Sequence, residues 1–207
     1  MYKISIEIER FKNIFESTHP SSKLDQKDWL RCSYAQRFLV GRSMVEVGPG
    51  VGMMLHAATS TMDKITALDI KKHSQAMFPS GVKFVQGSIS DKELVMDSHD
   101  TVVCMEVLEH IPPSFNGVIF NNLRKISRQR IILSVPLNEP EPLWGHNIPG
   151  GHRQRFTVDK LSSLFPNSYA TILPRYGVEW AFVIEDRQRQ ASYFQIVSRD
   201  QLITIFS

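Results

Sequence analysis

The 207-residue chain contains only two cysteines, Cys32 and Cys104. Two are too few for a disulfide framework, so a small stapled secreted scaffold is excluded and a reducing, cytoplasmic setting is expected. Cys104 sits inside an apolar run and reads as a small buried hydrophobe. No apolar stretch approaches the roughly 20 residues needed to span a bilayer. The opening residues, MYKISIEIERFKNIF, carry charges throughout and lack the apolar centre of a secretion signal. Charge of one sign is scarce too. The formal net charge is +3, and the densest basic group, Arg187-Gln188-Arg189, reads as a solvated turn between strands. So small an excess argues against a surface that tracks nucleic acid. Internal repeats and low-complexity segments are absent. Histidines 99, 110, 146 and 152 match no structural zinc spacing and have no cysteine pair beside them, so no metal is expected.

What the chain does have is alternation. A hydrophobic share of 42% over this length supports one sizeable core and one domain. Helical spacing predicts helices at Glu7–Ser17 and Gln26–Val40, an N-terminal cap over about residues 1–40. Strand-like runs follow at Met44–Val47, Ile65–Asp69, Val82–Val85, Thr101–Met105 and Ile131–Val135, with a clear helix at Ser114–Ile126 after Pro112-Pro113. This order predicts parallel strands with helices on both faces, filling residues 43–135. Residues 136–152 are rich in proline and glycine and read as a long loop, placed to act as a lid because it leaves the end of a central strand. Thr157 is suited to cap a helix over Val158–Phe165. Tyr169–Leu173, Glu179–Ile184, Ser192–Val197 and Leu202–Phe206 read as strands, so residues 136–207 form a substrate-side loop and terminal strands.

The most informative segment is VEVGPGVGMML, residues 45–55. A strand enters a glycine turn and a helix leaves it. Gly48, Gly50 and Gly52 let the backbone bend sharply and admit a ligand close to the main chain. Asp69 closes the next strand, about 20 residues on, where an acid can grip ribose hydroxyls. These features together point to a nucleoside cofactor.

VEVGPGVG, then ALDI (Ala67–Ile70), VKFVQGSISD (Val82–Asp91), DTVVCMEVLEHIPP (Asp100–Pro113), LSVP (Leu133–Pro136) and GHRQRFT (Gly151–Thr157) resemble, in order, the motifs of class I S-adenosylmethionine-dependent methyltransferases. The likeness runs over about residues 43–165, and EVLEHI is similar to the quinone, small-molecule and sugar-methylating branch. The resemblance implies a Rossmann-like, doubly wound, seven-stranded sheet with an antiparallel last strand. It implies S-adenosylmethionine as cofactor, with Gly48 and Gly50 facing its methionine part and Glu46 ordering that loop or reaching the cofactor amine. Asp69 would hold the ribose, Ile70 would pack on the adenine, Ser88 and Ile89 would line the adenine pocket, and Met105 and Glu106 would lie beside the sulfonium. Ser88 stands where many relatives carry aspartate, and Pro49 where a small residue or cysteine is common.

The implied reaction is an in-line methyl transfer onto a hydroxyl of a small molecule or glycan. Nitrogen or carbon acceptors, or a silent cofactor-binding module, are the alternatives. A base would assist an oxygen acceptor, and His110 and His152 are the candidates. For an acceptor ring, Trp144, Trp180, Tyr176 and Phe156 offer flat surfaces, with ordinary packing the competing account of each. Arg153, Arg155 and Arg175 are candidates for an acidic group on the acceptor.

Overall fold

The computed structural model describes residues 13, 26–72, 78–175 and 178–207. The expected helix at Glu7–Ser17 lies, apart from residue 13, outside them, as does Tyr176. The elements in chain order are α1 (Gln26–Gln36), β1 (Ser43–Val47), α2 (Met53–Ala58), β2 (Lys64–Asp69), β3 (Lys83–Gln86), β4 (His99–Met105), α3 (Asn116–Ile126), β5 (Ser127–Leu137), α4 (Val158–Leu164), β6 (Tyr169–Arg175), β7 (Val178–Asp186), β8 (Gln195–Ile196) and α5 (Arg199–Phe206). The strands form one sheet in the order β3-β2-β1-β4-β5-β7-β6-β8. β3, β2, β1, β4 and β5 run parallel, and β7 runs antiparallel to both β5 and β6.

Side chains alternate across the sheet, so each strand feeds two cores. Met44, Val103 and Met105 face the layer of α1, α2 and α5, where Tyr34, Phe38, Met54, Leu202 and Phe206 are buried. Val45, Val47, Val102 and Cys104 face the layer of α3 and α4, where Ile119, Leu123 and Leu161 are buried. Both layers are apolar and buried, which is why the central strands read as almost continuous apolar runs. Cys104 is fully buried and free.

Three expectations change. The predicted strand at Leu202–Phe206 lies in α5. Ser198 and Gln201 form a reciprocal capping box, and Leu202 and Phe206, four residues apart, bury one face against α1 and β6. The capping box and these contacts with distant elements outweigh the β-branched residues between them. Ser192–Val197 reduces to the two residues of β8, which brings the sheet to eight strands rather than seven. α1 stops at Gln36 instead of Val40. Val40 is held by the hydroxyl of Thr101, which accepts from its amide at 3.0 Å and donates to its carbonyl at 2.8 Å. Asp100 accepts from the Arg42 and Ser43 amides at 2.8 and 3.1 Å. These bonds steer the chain into β1. Thr157 caps α4 as expected, accepting from the Lys160 amide.

On the far side, Arg130 on β5 pairs with Asp186 on β7 at 2.6 Å, both nearly fully buried, and also donates to the Phe38 carbonyl at 2.8 Å. One guanidinium thus joins two strands to the segment after α1. The chain reverses its winding at β1 and β4, and the crevice at their carboxyl ends is where an open parallel sheet accepts ligands. Among the described residues no helix is long and apolar enough to cross a membrane.

Candidate active site

At the end of β1 the backbone turns through Gly48, Gly50 and Gly52, with φ of 65°, 54° and 87°. The turn is pinned by the Gly48 amide, which donates to the Leu68 carbonyl at 2.9 Å. At Gly48 a Cβ would come within 2.5 Å of Val107 Cγ2, whereas at Gly50 it would meet nothing within 4 Å. Gly48 is therefore needed for close packing, and Gly50 faces open space. Glu46 lies on β1 just before the turn and is 5% exposed. One of its oxygens, Oε2, is buried without a partner. Burial drives its carboxyl up to about 8, against the lowering influence of Arg31 and the Leu55 amide.

Asp69 ends β2. It accepts the Lys71 amide on Oδ1 at 2.7 Å, which fixes the carboxylate at the rim. Ile70 beside it is 62% exposed, an apolar surface at the mouth of the crevice. Ser88 accepts the Ser90 amide at 3.1 Å, and the two hydroxyls lie 2.7 Å apart. Ile89 is buried with Leu68 and Leu94, and its carbonyl accepts Asn122 Nδ2 at 2.8 Å. Met105 is buried at the end of β4. Glu106 follows in a left-handed conformation, φ 55°, that a side chain adopts only when its surroundings hold it. Here the Glu106 amide donates to the Ser134 carbonyl at 3.0 Å, Ser134 Oγ donates to Oε1 at 3.0 Å, and Arg31 reaches Oε2 at 3.4 Å. Arg31 comes from α1 and lies over the Trp180 ring at 5.0 Å, so the first described helix closes one wall of the site.

The turn after β4 carries Glu109 and His110. The segment after the long loop carries His152, 42 positions later, and the structure brings the three together. Their ligand-capable atoms all lie within 4.8 Å of one another. The two imidazole rings meet edge to face at 4.9 Å. Gln154 makes this meeting possible: its Nε2 donates to the Leu108 carbonyl at 2.7 Å, the Ile111 carbonyl at 2.9 Å and Asn116 Oδ1 at 3.1 Å. The Arg153 and Gln154 amides add bonds to the Glu109 carbonyl at 2.6 and 3.2 Å. His152 Nδ1 lies 2.5 Å from Glu139 Oε2, and Glu139 Oε1 accepts the Trp144 amide at 2.8 Å. Glu109 is 1% exposed, and neither carboxylate oxygen has a hydrogen-bond partner. Burial, and then the charge of Glu106, holds its carboxyl well above the ordinary range. Burial, and then the neighbouring His152, holds His110 below the ordinary histidine value.

Of the proposed ring-binding aromatics, Phe156 and Trp180 are 1% and 4% exposed and belong to the packed interior. Trp144 is 60% exposed, with its ring 5.3 Å from that of His152. Arg153 is committed to the loop, donating to the His146 and Ile148 carbonyls at 2.9 and 3.0 Å. Sequence reasoning missed Arg31, Glu139 and Gln154. Gln154 lies inside the quoted GHRQRFT motif, but nothing in its spacing shows that it staples two distant segments. Arg31 and Glu139 carry no local pattern at all.

Residues 45–128 match a family described as a methyltransferase domain. The chain is 32% identical over 82 residues to the ubiquinone biosynthesis O-methyltransferase of Bordetella avium, covering 36% of this chain and 34% of that one. It is 26% identical over 153 residues to the chloroplastic magnesium protoporphyrin IX methyltransferase of Arabidopsis thaliana, covering 64% and 48%. The chain thus spans between a third and a half of the length of these curated relatives. Among solved structures, the magnesium protoporphyrin IX methyltransferase of Synechocystis PCC 6803 with bound SAH superposes with a TM-score of 0.57 at 15% identity, covering 87% of this chain and 99% of that one.

Proposed function

The chain belongs to the class I S-adenosylmethionine-dependent methyltransferases, and from that premise we propose that it moves the methyl group of S-adenosylmethionine to a hydroxyl of a small molecule or carbohydrate. The observation that supports this reading best is the open side of Gly50 just after β1, with Asp69 and the exposed Ile70 at the same end of the parallel neighbouring strand β2. Gly48 and Gly50 receive the methionine part, and Glu46 with its free Oε2 accepts from the cofactor's amine. Asp69 takes the ribose hydroxyls. Ile70, Ser88 and Ile89 border the adenine, and Met105 lies by the sulfonium.

The sulfonium is already activated, so alignment is the main task. Orientation supplies roughly 7–11 kcal/mol. A base contributes a factor of about 10²–10⁴, or roughly 3–5 kcal/mol. The left-handed Glu106 and its three contacts serve the larger of these effects by fixing the end of β4. His110 and His152 serve the smaller one. His110, held below the ordinary histidine value, stays neutral at pH 7 and able to accept a proton. Glu139 orients His152 in the manner of an acid holding a catalytic imidazole.

The reading is tested by thermal shift with S-adenosylmethionine against NAD, followed by a tritiated-methyl transfer screen over hydroxylated metabolites and sugars. S-adenosylmethionine at 100 times its dissociation constant raises stability by about 2.7 kcal/mol, and NAD has no effect. A protein that responds to neither ligand overturns the reading.

A further inference from the structure

We propose that Glu109, His110 and His152 form a binding site for one divalent first-row transition-metal cation, with Glu139 as the outer carboxylate that orients His152. Two nitrogens and one carboxylate oxygen, within 4.8 Å of one another, are a donor set suited to such an ion. Donors at tetrahedral angles on one cation with bonds of about 2.1 Å lie about 3.4 Å apart, so the widest pair has to close by up to about 1.4 Å.

Two further observations point to a ligand. Both oxygens of the buried Glu109 carboxylate lack a partner, an arrangement that is costly unless a positive group compensates it. His110 Nδ1 is also buried without a hydrogen-bond partner, so in the tautomer protonated at Nε2 its lone pair is open to an ion. His152 shows the complementary half of the pattern. Its Nδ1 is taken by Glu139 Oε2 at 2.5 Å, leaving Nε2 for an ion, and Glu139 is itself fixed by the Trp144 amide. A carboxylate behind a histidine is the usual support of a metal-ligating imidazole. Glu106 beside Glu109 adds negative charge, and Gln154 locks the two segments at the required spacing.

Three protein ligands leave coordination positions open. An acceptor hydroxyl in one of them loses its proton more easily through the cation's charge. This last role rests on the methyltransferase reading; the binding of the ion does not.

The test uses the tag-free full chain, stripped with chelator and titrated with Co²⁺. The d–d absorption is followed, with Zn²⁺, Mn²⁺ and Mg²⁺ as competitors. One equivalent of Co²⁺ binds saturably. Glu109→Gln and His152→Ala each weaken binding at least tenfold, Glu139→Gln weakens it about 10–100-fold, and His146→Ala leaves it unchanged. Retention of the S-adenosylmethionine thermal shift shows that each variant is folded. Absence of saturable Co²⁺ absorption, or wild-type affinity in Glu109→Gln and His152→Ala, overturns the site. If the wild type binds no cation but His110→Ala still loses methyl transfer, the cation is refuted and the histidines act as bases.

Discussion

Replacing Glu46 with glutamine should make the protein more stable relative to wild type as pH rises. Burial lifts the Glu46 carboxyl in the folded protein from 4.5 to about 8. The folded state therefore holds this proton more tightly than the unfolded chain. The group's favourable contribution is complete below about pH 4.5 and is lost progressively as pH rises to about 8, because the folded protein must then carry a buried charge. At about 1.36 kcal/mol per pH unit, the loss over that window is roughly 4–5 kcal/mol, an upper figure if water enters or Arg31 moves closer. Glutamine keeps the shape and does not titrate. The difference in unfolding free energy, Glu46→Gln minus wild type, should climb by several kcal/mol between pH 5 and pH 8 and flatten above. Urea unfolding at four pH values with a common m-value measures it. A difference independent of pH would refute the argument that Glu46 is desolvated. If the prediction holds, Glu46 weakens the fold at neutral pH. That accords with a role for its unpartnered Oε2 in holding the cofactor, because functional sites often retain groups that cost stability.

Three more outcomes follow from the geometry. Asp186→Asn leaves the buried Arg130 without its counter-charge and should cost about 3–5 kcal/mol, measured by chemical denaturation; a loss below 1 kcal/mol would show that Arg130 finds relief elsewhere. Gly50→Ala puts a methyl into open space at φ 54° and should cost only about 1–2 kcal/mol while strongly weakening S-adenosylmethionine binding. Gly48→Ala, with its methyl 2.5 Å from Val107, should lower stability more than that, and equal stability losses in the two variants would contradict this distinction. Gln154→Ala removes the staple between the turn after β4 and the His152 segment, and should reduce methyl transfer at least tenfold with the S-adenosylmethionine thermal shift retained; unchanged transfer would show that the amide bonds to Glu109 suffice.

The parts of the molecule that were legible in its sequence are those governed by short-range rules. The glycine turn, Asp69 and the five parallel strands lie within residues 43–137, where the central strands β1, β4 and β5 are buried on both faces and their apolar runs announce them. The α4 cap at Thr157 is legible for the same reason, since the bond it makes spans three residues. α5 was misread because Ile203, Thr204 and Ile205 suggest a strand, while the deciding contacts of Leu202 and Phe206 are with distant α1 and β6. The acceptor side was the least legible, for a related physical reason. His110 and His152 were visible as residue types, but their meeting depends on one amide side chain, Gln154, that bonds backbone carbonyls 43 and 46 positions away. Histidine spacing along the chain therefore does not test for a metal site of the kind proposed above. Ligand spacing rules describe sites made within one or two local turns. A site built by stapling a loop to a strand end leaves no such period, and shows itself only when buried carboxylate oxygens are found without partners beside two imidazoles.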